Sequence, residues 1–282
     1  MRGGHAEEGV QAFDKVCVLV TGAGRGIGKR LAIGFAQQGA RVGLLARSKA
    51  ELDLTQLEID HSGGTAMRLR ADVRHLFEVQ TAVDRLCAHF GPVDVLIGAA
   101  GIQGPIGPFQ ENDGDAWWET VETNLKGAVN SCRVVLPRMT QRRRGKIILL
   151  SGGGGTRPRA NFSAYAASKA AILRFAETLA EEVRDHNIQV NCMSPGGTYT
   201  HMTDEILRAG AQAGWKDQEE ALQVRVTGGM APERQMALAA FLASDRSNHV
   251  SGKLVHVKDD WKRLEGAAVS PEMFTLRRVM KG

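Results

Sequence analysis

The chain has 282 residues, 43% of them hydrophobic, which is enough to bury a substantial core, and carries a formal charge of +5. Its four cysteines, Cys17, Cys87, Cys132 and Cys192, are widely separated, with neither Cys-x-x-Cys spacing nor the density of a disulfide scaffold, so they are expected to be reduced and buried and no metal site is expected. Residues 1–14 lack the apolar stretch of a signal peptide and no segment approaches the ~18 continuous apolar residues of a membrane span, so the chain reads as soluble and cytoplasmic, with no membrane partner.

Along the chain, residues 16–20 form an apolar strand, 21–28 a glycine-rich turn, and 27–38 an apolar-spaced helix that stops near Gly39. A strand at 42–45 follows, then a helix at 49–62, a strand at 66–71, a helix at 73–90 and a strand at 93–97. A long helix over 116–138 leads to a strand at 146–150. The basic run Arg142-Arg143-Arg144 between them has no interleaved aromatics, so it reads as a solvated turn and no nucleic-acid partner is expected. The next helix carries Tyr165 and runs to about 185, a strand covers 188–193, short helices fill 204–243, and a last strand covers 253–257. Strands this apolar, separated by helices, predict an α/β fold: a Rossmann-type doubly wound parallel sheet covered on both faces. One domain is expected over 14–258, with a flexible segment at 1–13 and a tail at 259–282. The tail's basic residues, Lys262, Arg263, Arg277, Arg278 and Lys281, are either solvated or part of a segment folded over a cleft.

Ligands of such sheets bind beyond the strands' C-terminal ends, where Thr21, residues 99–101, Ser151 and residues 195–200 all fall. In the turn, Gly22, Gly24, Gly26 and Gly28, with Arg25 and Ile27, let the backbone approach a pyrophosphate while the helix N-terminus presents free amides. The second strand ends in Leu45-Ala46-Arg47-Ser48 with no acid, so Arg47, aided by Arg25, is expected to pair with a 2′-phosphate; the cofactor expected is NADP(H) rather than NAD(H). Tyr165 and Lys169 lie four apart on one helix, so the ammonium is expected beside the phenol, lowering its pKa and making Tyr165 an acid/base.

These residues resemble the short-chain dehydrogenase/reductase family, in its compact single-domain branch, over about residues 14–258. The resemblance rests on Thr-Gly-x-x-x-Gly-x-Gly at 21–28, Asp72-Val73 after the third strand, Asn124 within Thr123-Asn124-Leu125, Tyr165-x-x-x-Lys169, and Pro195-Gly196 followed by Thr200. It implies that Tyr165 exchanges a proton with the substrate oxygen as hydride passes to or from nicotinamide. Lys169 would hold the nicotinamide ribose, Asn124 a relay water, and Asp72 and Val73 the adenine. Ala99, Ala100 and Gly101 would line the cofactor, and Thr200 with the backbone of Tyr199 would face the carboxamide. It also implies a small-molecule carbonyl or alcohol substrate and a homodimer or homotetramer built on the helices around 116–138 and 163–185.

Three departures stand out. The family's catalytic serine lies thirteen residues before the tyrosine, where this chain has Gly152, so either Ser151 or amides of the run 152–155 must serve the substrate oxygen. The family's Asn-Asn-Ala-Gly is here Gly98-Ala99-Ala100-Gly101, and a glycine pair after the last strand is replaced by Asp259-Asp260. Gln103, Asn161, Phe162 and His201 are candidate pocket residues, and the room left by the glycines suits a bulky polar cyclic substrate. A non-catalytic NADP(H)-binding redox sensor, or a dehydratase or epimerase using the cofactor transiently, are the alternative readings.

Overall fold

The computed structural model describes residues 12–266, 269, 270 and 272–276. Seven short strands pair into one parallel sheet: β1 (Cys17–Thr21), β2 (Arg41–Ala46), β3 (Thr65–Arg70), β4 (Val95–Gly98), β5 (Gly145–Leu150), β6 (Ile188–Ser194) and β7 (Leu254–His256). The spatial order is β3-β2-β1-β4-β5-β6-β7. Every residue of β1, β4 and β5 is buried, as expected of strands with helices over both faces. One face is covered by α1 (Gly26–Gln37) and α9 (Pro232–Ala243), through Leu31, Phe35, Leu238 and Phe241. The other carries α3 (Leu76–Phe90), α5 (Gly127–Arg142) and α6 (Ser163–Glu182), through Leu86, Val135, Ile172 and Ala176. α2 (Lys49–His61) joins β2 to β3. The strand order changes direction at β1 and β4, which lie side by side at the middle of the sheet, so a ligand crevice is expected beyond their C-terminal ends.

The helix expected over 116–138 is not continuous. α4 (Gly114–Val121) passes through a π-helical segment, Glu122–Lys126, before α5, and Asn124 sits in that segment. A widened turn frees backbone and side-chain groups that a regular helix would occupy.

The basic run is not simply solvated. Arg142 donates to Asp94 at 2.8 Å and to the Val93 carbonyl at 2.7 Å, and Arg143 takes a left-handed conformation at the end of α5. These contacts fix the start of β4 to the end of α5. The thiols are unpaired, as expected; three are buried and Cys87 is half-buried.

In the tail, Trp261 packs 5.3 Å from the Phe241 ring and Leu264 is buried against the same core. The Phe274 carbonyl accepts from the Leu254 amide at 2.7 Å, which satisfies part of the open edge of β7. Residues 1–11, Arg277, Arg278 and Lys281 lie outside the described residues. No helix among the described residues is long and apolar enough to cross a membrane.

Candidate active site

Three short-range devices build the crevice. The glycine turn after β1 is pressed against the loop after β4: a Cβ at Gly28 would meet the Gly22 carbonyl oxygen at 2.3 Å, and one at Gly22, whose φ is +69°, would meet Ala100 at 2.8 Å. Only glycine permits both approaches. The Ala100 amide donates to the Thr21 hydroxyl at 3.2 Å, which locks the two loops together. The loop after β6 closes over them, with Thr200 Cγ2 3.4 Å from the Cβ position of Gly26.

That third loop is held by a residue the sequence patterns did not single out. Gln235 of α9, fully buried, donates to the Pro195 carbonyl at 2.8 Å and the Thr198 hydroxyl at 2.6 Å. Thr200 then caps α7 (His201–Ala209) through a reciprocal pair with Thr203. A glutamine that braces a loop has no local spacing signal, because its partners are about forty positions away in the chain.

The result is a cleft of about 1010 Å³. It is lined by Gly22, Gly24, Arg25, Gly26, Ile27, Gly28, Arg47, Val73, residues 99–101, Ser151, Tyr165, Lys169, Pro195, Gly196 and Thr200, so the structure brings most of the expected residues together. The fit to a dinucleotide is sound. Glycines are placed where a side chain would fill the cradle, and the buried Gln103 Nε2 and Thr123 Oγ1 have no partner among the described residues and lie on the lining.

Asp72 and Tyr199 stand apart from that lining. Burial pushes the Asp72 carboxyl up, but hydrogen bonds and charge from Arg74, with the charge of Arg47, hold it below the usual range. Both its oxygens are taken by Arg74 at 2.7–3.2 Å. The Tyr199 amide donates to the Gly228 carbonyl and its hydroxyl to Asp204 at 2.9 Å.

At the rim, Arg47 lies 3.8 Å from both Asp72 and Glu119, and Arg25 lies 3.6 Å from Glu51. Glu51 also lines the cleft. The end of β2 itself carries no acid, yet the first turn of α2, capped by Ser48 through the Glu51 amide, delivers one to the same place.

At the floor, Tyr165 and Lys169 are buried on one face of α6. Their relation differs from the one expected. Lys169 Nζ donates to the Leu150 carbonyl at 2.9 Å and sits 5.5 Å from the centre of the Tyr165 ring. Burial pushes the Tyr165 phenol up rather than down, opposed only by the charge of Arg159, and burial pulls Lys169 down to about 8. Desolvation therefore outweighs the charge of Arg159 at the phenol.

Asn124 is buried in the π segment. Its side chain accepts from the Ile102 amide at 2.8 Å and donates to the Ile102 carbonyl at 3.1 Å and to Ser168 at 2.9 Å. It thereby ties the loop after β4 to α6 immediately beside Tyr165 and Lys169.

The residue that faces the Tyr165 hydroxyl is Gly152: a Cβ there would lie 2.6 Å from that oxygen. Ser151 is buried and lies on the lining, but its hydroxyl is 2.9 Å from the Cβ position of Gly155. The amides of residues 152–154 donate to no group among the described residues. Of the four candidate pocket residues, Gln103, Asn161 and His201 line the cleft, whereas Phe162 is fully buried beneath it.

Comparison with known proteins matches this geometry. A family model described as short chain dehydrogenase matches residues 16–210. The chain is 33% identical over 246 residues to 3-oxoacyl-(acyl-carrier-protein) reductase FabG of Thermotoga maritima, covering 86% of this chain and 96% of that protein. It is 32% identical over 247 residues to the Escherichia coli protein of that name, covering 87% and 96%. Among solved structures, a NAD+-bound xylitol dehydrogenase superposes with a TM-score of 0.80 at 27% identity, covering 86% of this chain and 98% of that one. An actinorhodin polyketide ketoreductase with NADPH superposes with a TM-score of 0.79 at 29% identity, covering 88% and 96%.

Proposed function

The chain belongs to the short-chain dehydrogenase/reductase family, and on that premise we propose that it is an NADP(H)-dependent oxidoreductase interconverting a ketone and a secondary alcohol. The observation that carries this reading is the Tyr165 phenol at the floor of a cleft whose other wall is a glycine turn built for a pyrophosphate. The nicotinamide, when bound, supplies or accepts hydride at the substrate carbon.

Tyr165 moves the proton. Its buried phenol keeps that proton at neutral pH, which is the state required of an acid delivering to a ketone oxygen. Lys169 and Thr123 are the polar groups placed to hold ribose hydroxyls, and Asn124 fixes the loop and helix that position Lys169 and Tyr165. In place of a serine hydroxyl, the open amides of residues 152–154 stabilise charge on the substrate oxygen.

Preference for NADP(H) rests on Arg25 and Arg47, both on the lining, which present two cations to a 2′-phosphate. Glu51 opposes it. FabG proteins are reductases by name, and of the two cofactor-bound neighbours one holds NADPH and the other NAD+, so sequence kinship alone does not choose. Self-association through the α4–α5 and α6 faces accords with Trp118 of α4 being 63% exposed.

The test is to mix the purified protein with NADPH or NADH and a panel of ketones while following nicotinamide absorbance. Turnover with NADPH preferred supports the reading. Binding of the cofactor with no turnover on any ketone favours the sensor reading, which Gly152 in the serine position motivates.

A further inference from the structure

A cation that proton transfer does not require stands next to the proposed proton donor. Arg159 lies on the loop between β5 and α6. Its guanidinium carbon is 3.7 Å from the centre of the Phe162 ring and 5.8 Å from that of Tyr165. Its Nε donates to Asp217 Oδ1 at 2.7 Å, in the first turn of α8 (Trp215–Thr227). The two side chains of that pair are only 17% and 20% exposed. A stack on one face and an ion pair at one edge have already fixed the side chain, so little rotamer freedom remains to be lost on taking a ligand.

What is left over is the end of the guanidinium. Among the described residues neither terminal nitrogen of Arg159 has a hydrogen-bond partner, although the group offers five donors. Arg159 lines the cleft together with Tyr165 and residues 152–154. There the chain leaves space: a Cβ at Gly153 would meet nothing within 4 Å. Two terminal nitrogens side by side match a carboxylate through parallel bonds. Arg157 and Lys216 line the same end, and neither is in an ion pair among the described residues. The acids there are otherwise engaged or apart: Asp217 holds Arg159, Glu205 lies 3.3 Å from His201, Asp259 accepts from the His256 amide, and Glu220 reaches toward Gly197.

We propose that the substrate carries a carboxylate one or two carbons from the reacting carbon, and that the terminal nitrogens of Arg159 bind it, with Asp217 holding the guanidinium in place. The proposal rests on the oxidoreductase reading for the identity of the reacting carbon. It narrows the substrate from ketones in general to short oxo acids and their hydroxy acid products. The same guanidinium lies close enough to favour ionisation of Tyr165, so a bound carboxylate, by neutralising it, also helps keep the phenol protonated for reduction.

The experiment uses matched pairs: 2-oxo and 3-oxo acids and their methyl esters. Calorimetry measures binding of each to the protein saturated with NADP+, and absorbance measures turnover with NADPH. The expected result is a preference of about 10- to 100-fold for acid over ester in at least one pair, as a bidentate contact to an ion supplies. Arg159→Gln should reduce that ratio to within about threefold of unity, and Arg159→Lys should keep part of it. NADP+ affinity and thermal unfolding confirm that the variants are folded.

Esters bound as tightly as acids, no acid bound at all, or a preference surviving in Arg159→Gln would overturn the proposal. Because calorimetry needs no turnover, Arg159-dependent binding of oxo acids without reduction leaves the carboxylate site standing and removes the reductase reading. Reduction of ketones without regard to charge does the reverse.

Discussion

Gly152→Ala separates a geometric role for the missing side chain from indifference at that position. A Cβ at 152 falls 2.6 Å from the Tyr165 hydroxyl, and ordinary contact begins near 3.4 Å, so the hydroxyl must retreat by roughly 0.8 Å. The atom displaced is the far end of a side chain that lines an open cleft, so the fold should lose no more than about 1 kcal/mol, a drop of about 2–4 °C in Tm. Catalysis is less forgiving: moving a reacting group by about 1 Å costs on the order of 100-fold. The expected outcome is therefore kcat about 100-fold lower for the best ketone, with NADPH affinity and Tm nearly unchanged. Gly152→Ser introduces the same Cβ but adds a donor beside the substrate oxygen, and one such donor can be worth about 100-fold. It should therefore recover at least about tenfold over the alanine variant. Steady-state kinetics on both variants, with thermal melts alongside, give the reading. Full activity in Gly152→Ala would show that the Tyr165 hydroxyl does not work where the structure places it.

Tyr165 is one of only two tyrosines, so subtracting the ultraviolet titration of Tyr165→Phe from that of the parent isolates its phenol. Burial should make it ionise above the ordinary value near 10 in the cofactor-free protein; a midpoint well below 10 would refute the desolvation account. Lys169, held down to about 8 against an ordinary 10.5, binds its proton more weakly folded than unfolded. Its contribution to stability therefore rises as pH climbs from about 8 to 10.5, and buried Lys146, also near 8, acts with the same sign. Urea unfolding across that range should show a shallower rise for Lys169→Met than for the parent. At the cleft rim, Arg47→Gln should raise the KM for NADPH by about tenfold or more and leave that for NADH nearly unchanged, whereas Glu51→Gln should lower the NADPH value several-fold. Equal effects on both cofactors would contradict the assignment of that rim to a 2′-phosphate.

Strands buried on both faces, such as β1 and β5, are continuous aliphatic runs, and that property is local, so their order and the parallel sheet were readable from the chain. The glycine turn was readable for the same reason: close backbone approach demands glycine at fixed spacing, as Gly22 and Gly28 show. What escaped depended on partners distant in sequence or on the balance of two energies. The π turn at Asn124 leaves no mark in apolar periodicity, because a single widened turn merely continues the helix. Four-residue spacing placed Tyr165 and Lys169 on one face but could not say that Leu150 would take the ammonium, nor that burial would push the phenol up. Glu51 and Arg159 were missed because helix starts and loops carry charged residues everywhere, and only the fold aims these two at the cleft.

The most direct measurement is NADPH oxidation by Tyr165→Phe against a ketone that the parent enzyme reduces. A positioned general acid contributes about 100- to 10,000-fold, so kcat should fall by at least about 100-fold while NADPH binding, measured by fluorescence titration, stays within about twofold of the parent. A variant that reduces the ketone as fast as the parent would contradict proton transfer by Tyr165, and with it the assignment of this cleft as the active site.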